Sequence, residues 1–172
     1  MKAKLITLIA FLLFAVLSCK QEPHIGELNQ SYNEWAKFKK DVNNSYRYSV
    51  NSGSFIGSNS ETIIYVREGK VVKRYYKSTL SNGVNPPVIT ITEEWTEEQG
   101  SLNTHQKGAP TKTIDEIYDQ AKNDWLKKRN DAKTYFENKN SGMISLAGYV
   151  KDGCQDDCFI GVNIGFIEKV NY

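Results

Sequence analysis

The chain has 172 residues, of which 22 are basic, 20 acidic and 40% hydrophobic, with a formal net charge of +2. That length suits one domain able to bury its own core without a structural metal. So small a positive surplus argues against nucleic acid as a partner, because a phosphate-binding surface needs a strong one.

Residues 1–18 read as a secretory leader. Lys2 and Lys4 give it a charged start, residues 5–17 are apolar, and Ser18 is a small residue at a cleavage point. The apolar run of 13 residues is short for a bilayer span, which takes about 20. Without this leader, which carries two lysines and no acid, the remaining 154 residues hold 20 charges of each sign. A Cys directly after the small residue resembles the lipobox of bacterial lipoproteins. The resemblance implies a diacylglyceryl thioether on Cys19, cleavage before it and acylation of its new amine. Residues 20–29 are polar, contain Pro23 and Gly26, and show no period, which suits a flexible tether. The expected organisation is therefore a leader over 1–18, lipidated Cys19 with its tether over 19–29, and one domain over 30–172.

The first helix is expected to start at Ser31, where Ser31-Tyr32-Asn33-Glu34 has the capping-box pattern. Tyr32, Trp35, Phe38 and Val42 then recur at helical steps, and Asn43-Asn44 ends the run. Alternation at Tyr46, Tyr48 and Val50 predicts a strand, and the β-branched and aromatic segments 62–67 and 71–76 predict two more around a Glu68-Gly69-Lys70 turn. Asn82-Gly83 and Asn85-Pro86-Pro87 mark a loop before a fourth strand over 88–98, and residues 99–112 read as loop. Thr113-Ile114-Asp115-Glu116 is a second capping box, followed by the stripe Ile114, Ile117, Tyr118, Ala121 and Trp125. Lys127, Lys128 and Arg129 are expected in the last turn of that helix, where its dipole favours cations. Segments 133–138, 143–150 and 159–170 complete the order α-β-β-β-β-α-β-β-β. Such an order predicts an α+β domain, an antiparallel sheet with two helices packed on one face.

Cys154 and Cys158 follow a leader that delivers them to an oxidising compartment, so a disulfide between them is expected. Its Cα atoms must lie within about 7 Å, whereas four residues of strand cover about 13 Å. The segment must therefore curl into a turn. Asp152, Asp156 and Asp157 cluster on it as a weak Ca²⁺ candidate without EF-hand spacing. No other metal site and no cofactor is expected.

No motif for nucleophilic, metal-dependent or nucleotide chemistry occurs. His24 falls in the tether and His105 in a polar loop, neither offering a buried, oriented imidazole of the kind a catalytic relay needs. The chain is thus not expected to be an enzyme. Glu93, Trp95 and Glu97 share one face of the fourth strand, which reads either as a charged edge that discourages aggregation or as a docking patch. With Tyr75 and Tyr76 they form the expected binding surface.

The segments Trp35…Tyr46-Arg47-Tyr48, Val66…Gly69-Lys70-Val71-Val72, Thr113-Ile114-Asp115-Glu116-Ile117-Tyr118 and Gly161-Val162-Asn163-Ile164 resemble a family of small secreted or lipid-anchored domains with no established activity. The Cys19-Lys20-Gln21-Glu22 start also looks like lipoproteins of the Bacteroidota, many of which reach the outer membrane or the cell surface. These resemblances imply a lipid-anchored cell-envelope protein, facing the periplasm or the outside. The expected role is a non-catalytic protein-binding or scaffold module. Alternatives are a surface glycan-binding lipoprotein and an inhibitor of a secreted enzyme.

Overall fold

The computed structural model describes residues 22–54, 57–156 and 158–170. Helix α1 (Ile25–Asp41) leads into β1 (Tyr46–Gly53), β2 (Ser58–Arg67), β3 (Lys70–Ser81) and β4 (Ile89–Glu98). Helix α2 (Ile114–Gln120) follows, with a π-helical turn over Ala121–Trp125, then β5 (Ala132–Glu137), β6 (Leu146–Lys151) and β7 (Ile160–Lys169). The strands form one sheet in the order β4-β3-β2-β1-β7-β6-β5, antiparallel throughout. The α+β class and the order of elements match the sequence reading. Among the described residues no helix is long and apolar enough to cross a membrane.

Strand alternation decides which face is covered. Tyr46 and Tyr48 on β1, Ile64 and Val66 on β2, and Val162 and Ile164 on β7 point to the helices and join one core with Trp35, Ile114 and Trp125. Tyrosines serve this core because each brings a ring and a hydroxyl that satisfies buried backbone. Tyr46 Oη accepts the Ile114 N–H at 3.0 Å, one of the orphan donors at the start of α2. Tyr118 Oη accepts the Ile144 N–H at 2.9 Å and donates to the Ser31 carbonyl at 3.0 Å. Burial pushes the Tyr118 phenol up to about 12, so it keeps the proton it donates.

The first helix begins earlier than its sequence suggests. Residues 25–29, expected in the tether, form its first turn, and Leu28 is buried. Ser31 is therefore not a cap: it lies inside the helix, buried, with its hydroxyl 2.7 Å from Tyr118 Oη. The helix is drawn back by tertiary contacts, because Leu28, Ser31 and Trp35 form the buried stripe while Tyr32 is 44% exposed. The second capping box is present as read, with Thr113 Oγ1 accepting from the Glu116 N–H and Glu116 accepting from the Thr113 N–H. Asp115 does something else. Its carboxylate accepts from Trp35 Nε1 at 3.1 Å and Lys39 Nζ at 2.9 Å, tying α2 to α1. Lys127, Lys128 and Arg129 lie beyond the helix, which closes at Trp125. Arg129 folds back and donates to the Trp125 carbonyl at 3.2 Å.

Replacing Tyr118 with Phe strips the Ile144 N–H of its acceptor and should cost about 1–3 kcal/mol, the usual toll of a buried unpaired donor. Urea unfolding will register this as a lower midpoint with an unchanged slope.

Candidate functional site

β7 is shared between two neighbours. Residues 164–169 pair with β1, while residues 160–163 pair with β6. Between Tyr48↔Ile167 and Val50↔Ile164 the β7 side carries one extra residue, a bulge at Gly165-Phe166. A Cβ on Gly165 would crowd the side-chain ends of Ser49, with Oγ at 2.6 Å, and Asn51, with Nδ2 at 2.5 Å, and these would have to move aside. Past Val50 the β1–β7 ladder stops, although both strands continue. Continued in register, Asn51 would face Asn163 and Gly53 would face Gly161. Instead these four residues line an open split. A groove of about 800 Å³ opens on the helix side and another of about 560 Å³ on the opposite side. Both grooves are lined by Asn51, Ser52, Gly53, Ser60 and Asn163, so the split passes through the sheet.

Backbone direction follows from two hydrogen bonds. The Ser54 N–H donates to the Ser58 carbonyl at 2.8 Å, and the Ile164 N–H donates to the Ser145 carbonyl at 2.7 Å. In an antiparallel strand, successive residues direct their N–H and C=O groups to opposite sides. Even-numbered residues of β1 therefore serve β2, and those at the start of β7 serve β6. The N–H and C=O groups of Asn51, Gly53, Gly161 and Asn163 point into the split.

The groove has a floor of Ser60, Ser78 and Val50, with Tyr76 and Lys107 on its helix-side wall and Phe159, over Gly148 on the opposite face, across the split. Two devices hold those walls. The first is the cystine turn. Cys154 and Cys158 form the expected disulfide, Cα atoms 6.1 Å apart, and Phe159 follows it and lies over Gly148. The second is a buried ion pair that folds residues 99–112 onto the sheet. Arg74 donates to both Glu97 oxygens at 2.8 and 2.9 Å and also to the His105 and Ala109 carbonyls. Glu97 further accepts from the Asn103 N–H, the His105 N–H and Thr104 Oγ1. His105 Nδ1 lies 3.0 Å from Glu97 Oε1, and its ring stacks on Trp95 at 4.2 Å. Trp95 in turn stacks on Tyr76 at 5.0 Å. Gly108, at φ +87°, turns the loop so tightly against Thr62, Tyr76 and Trp95 that a side chain there would be strained. Burial alone would push the Glu97 carboxyl up, but Arg74 and the amides of His105 and Asn103 hold it well below the usual carboxylate range.

The expected binding surface is thus taken apart. Glu97 and Tyr76 are buried, and Trp95 is packed between Tyr76 and His105. Glu93 is bonded by Trp95 Nε1 and by Lys107 Nζ. Tyr75 points to the opposite face and donates to Glu94. The shared face of Glu93, Trp95 and Glu97 was correctly read, but it is the covered face. His105, expected to be unoriented, has its imidazole fixed by a carboxylate. Asp152 and Asp156 are exposed, Asp157 lies outside the described residues, and no metal-holding group of three acids, His or Cys occurs among the described residues. Cys19 also lies outside them. Sequence reasoning missed the split, though one signal was present: Val162, Ile164 and Ile167 break strand period by one residue, as a bulge does. Searches against family models, curated proteins and solved structures give no match to this chain.

Replacing Arg74 with Met leaves a buried carboxylate and should cost about 3–5 kcal/mol. The acid response has a defined sign. Glu97 binds its proton more weakly in the folded protein than in the unfolded chain. Its contribution is complete above about pH 4.3, the ordinary Glu value, and is lost as pH falls toward the folded value. Urea titrations at pH 7 and pH 3 should show Glu97→Gln well below the native chain at pH 7, with the gap narrowing at pH 3.

Proposed function

We propose that the chain is a lipid-anchored cell-envelope protein, held in the outer membrane through Cys19, whose domain is a non-catalytic protein-binding module working through the split end of the sheet. One observation carries this reading. Eight large hydrophobic residues are exposed among those described, and seven of them flank that end: Leu80, Val84, Val88, Ile89 and Ile91 around the β3–β4 loop, with Phe159 and Ile160 after the cystine turn. Apolar side chains gathered at one end and rimmed by polar groups are what a protein contact buries. No charged residue occurs from Ser78 to Thr92, which lowers the desolvation cost of docking that hairpin. The groove between the two apolar rims presents mainly hydroxyls, amides and one lysine, a set suited to holding a ligand rather than to acid–base work.

The start of the domain supports an anchor at the same end. Glu22 accepts from the Lys128 N–H at 2.7 Å, and Asp131, just before β5, accepts from the Asp152 N–H beside the cystine turn. Glu22 is three residue steps from Cys19, a reach of about 10 Å. A lipid on Cys19 would then keep the split end close to the bilayer, so the partner would be a neighbour at the same membrane.

A second reading, glycan binding, is favoured by the hydroxyl-lined floor beside the ring of Tyr76. A panel of oligosaccharides should then change the fluorescence of Trp95, which stacks on Tyr76.

In cells, a photo-crosslinking residue at Val84 or Phe159 should yield one reproducible protein adduct. The same residue at Tyr32, exposed on α1, should yield none. Equal adducts from all three positions, or none, would remove the protein-binding reading. Cys19→Ser should move the protein out of the membrane fraction; retention there would remove the lipid anchor.

A further inference from the structure

We infer that the split accepts an extended, uncharged peptide segment of a partner protein as an inserted strand between β1 and β7. This rests on the protein-binding reading and names the partner's chemistry. Asn51 and Gly53 on one wall, and Gly161 and Asn163 on the other, aim their backbone N–H and C=O groups into the gap, as the Ser54–Ser58 and Ile164–Ser145 hydrogen bonds fix. Each of the four brings one donor and one acceptor. None has a ladder partner on that side among the described residues. A strand edge with free donors and acceptors is a template for strand addition. Here two such edges face each other.

An inserted strand would direct alternate residues to β1 and β7, antiparallel to one and parallel to the other. Its side chains would alternate between the two faces of the sheet. Both faces have room, since a groove opens on each at the same place. On the helix side, the inserted side chains would meet Val50, Tyr76 and Ser78, together with Lys107, whose charge is already met by Glu93 at 2.6 Å. On the other side they would meet Thr79, Glu61 and Lys77, charges of both signs. Neither face selects for a charged segment, and two of the four edge residues are glycines, so no side chain blocks the approach of the peptide backbone there.

The test uses the full chain purified in detergent and a phage-displayed library of random dodecapeptides. Panning should enrich a family of peptides poor in charged residues. Amide resonances of Asn51, Gly53, Gly161 and Asn163 should shift on binding and exchange with solvent at least tenfold more slowly. N-methylating single backbone positions in the central residues of the selected peptide should weaken binding at least tenfold, whereas single alanine substitutions should weaken it less. No enrichment over a detergent blank would overturn the inference. So would enriched peptides that shift only Val84, Val88 and the β3–β4 loop. In that last case the crosslinks from Val84 would stand, and the protein-binding reading would survive without strand insertion. Loss of every crosslink would remove both.

Discussion

Ten residues of β7 must serve two strands that diverge, and the rest of the candidate site follows from that constraint. Its second half completes the ladder of β1. Its first half follows β6. The bulge at Gly165-Phe166 lets the strand change allegiance without exposing Val162, Ile164 or Ile167, which all stay in the core. What cannot be preserved is the hydrogen bonding of the backbone beyond the bulge. A regular sheet would pair Asn51 with Asn163 and Gly53 with Gly161. This one leaves their polar groups to solvent or to a guest, a position that native folds normally avoid or cover.

The ion pair of Arg74 and Glu97 turns that gap into a shaped groove. Residues 99–112 have no secondary structure of their own, and loops of that length are usually functional or disordered. Glu97 gathers this one by accepting from two loop amides, a hydroxyl and an imidazole, while Arg74 bonds two loop carbonyls. A buried pair of this kind is weak evidence for net stability, because desolvation offsets much of its attraction. Its directional bonds do something that apolar packing would not: they fix the path of a polar loop. That path stacks His105 on Trp95 and Trp95 on Tyr76, and brings Lys107 to the groove's wall. The opposite face of the sheet is held differently, by half-exposed contacts such as Arg47 with Glu168 and with the rings of Tyr65 and Phe166. Among the described residues nothing comparable to the loop covers it.

The sequence made the elements legible wherever local chemistry and tertiary structure agree. Thr113 and Glu116 cap α2 because the box is self-contained, and Tyr46, Tyr48 and the strand over 62–67 show their period directly. At Ser31 the two disagreed. Its hydroxyl has a capping pattern in sequence, but a partner from 87 residues away, Tyr118, claims it, and Leu28 draws the helix start back. The site was hardest to read, because it is made of what a sheet leaves undone. Seven of its named groups are Ser, Asn or Gly, residues that otherwise mark turns. Charged residues are almost never fully buried unless paired, and the partner that buries Glu97 is Arg74, 23 residues away on a neighbouring strand, a pairing the sequence does not display. The acidic Trp95 strand was recognised by its shared face, and it is an edge strand, but that face is covered by residues 99–112 rather than open for docking.

Residue-resolved amide exchange of the free protein tests the account most directly. Within β1, the amides of Asn51 and Gly53 should exchange fast while that of Ser52, directed to β2, is protected. Within β7, Gly161 and Asn163 should exchange fast and Val162 slowly. Protection of all six to the same degree would mean that the β1–β7 ladder closes in solution and that the sheet has no split to fill.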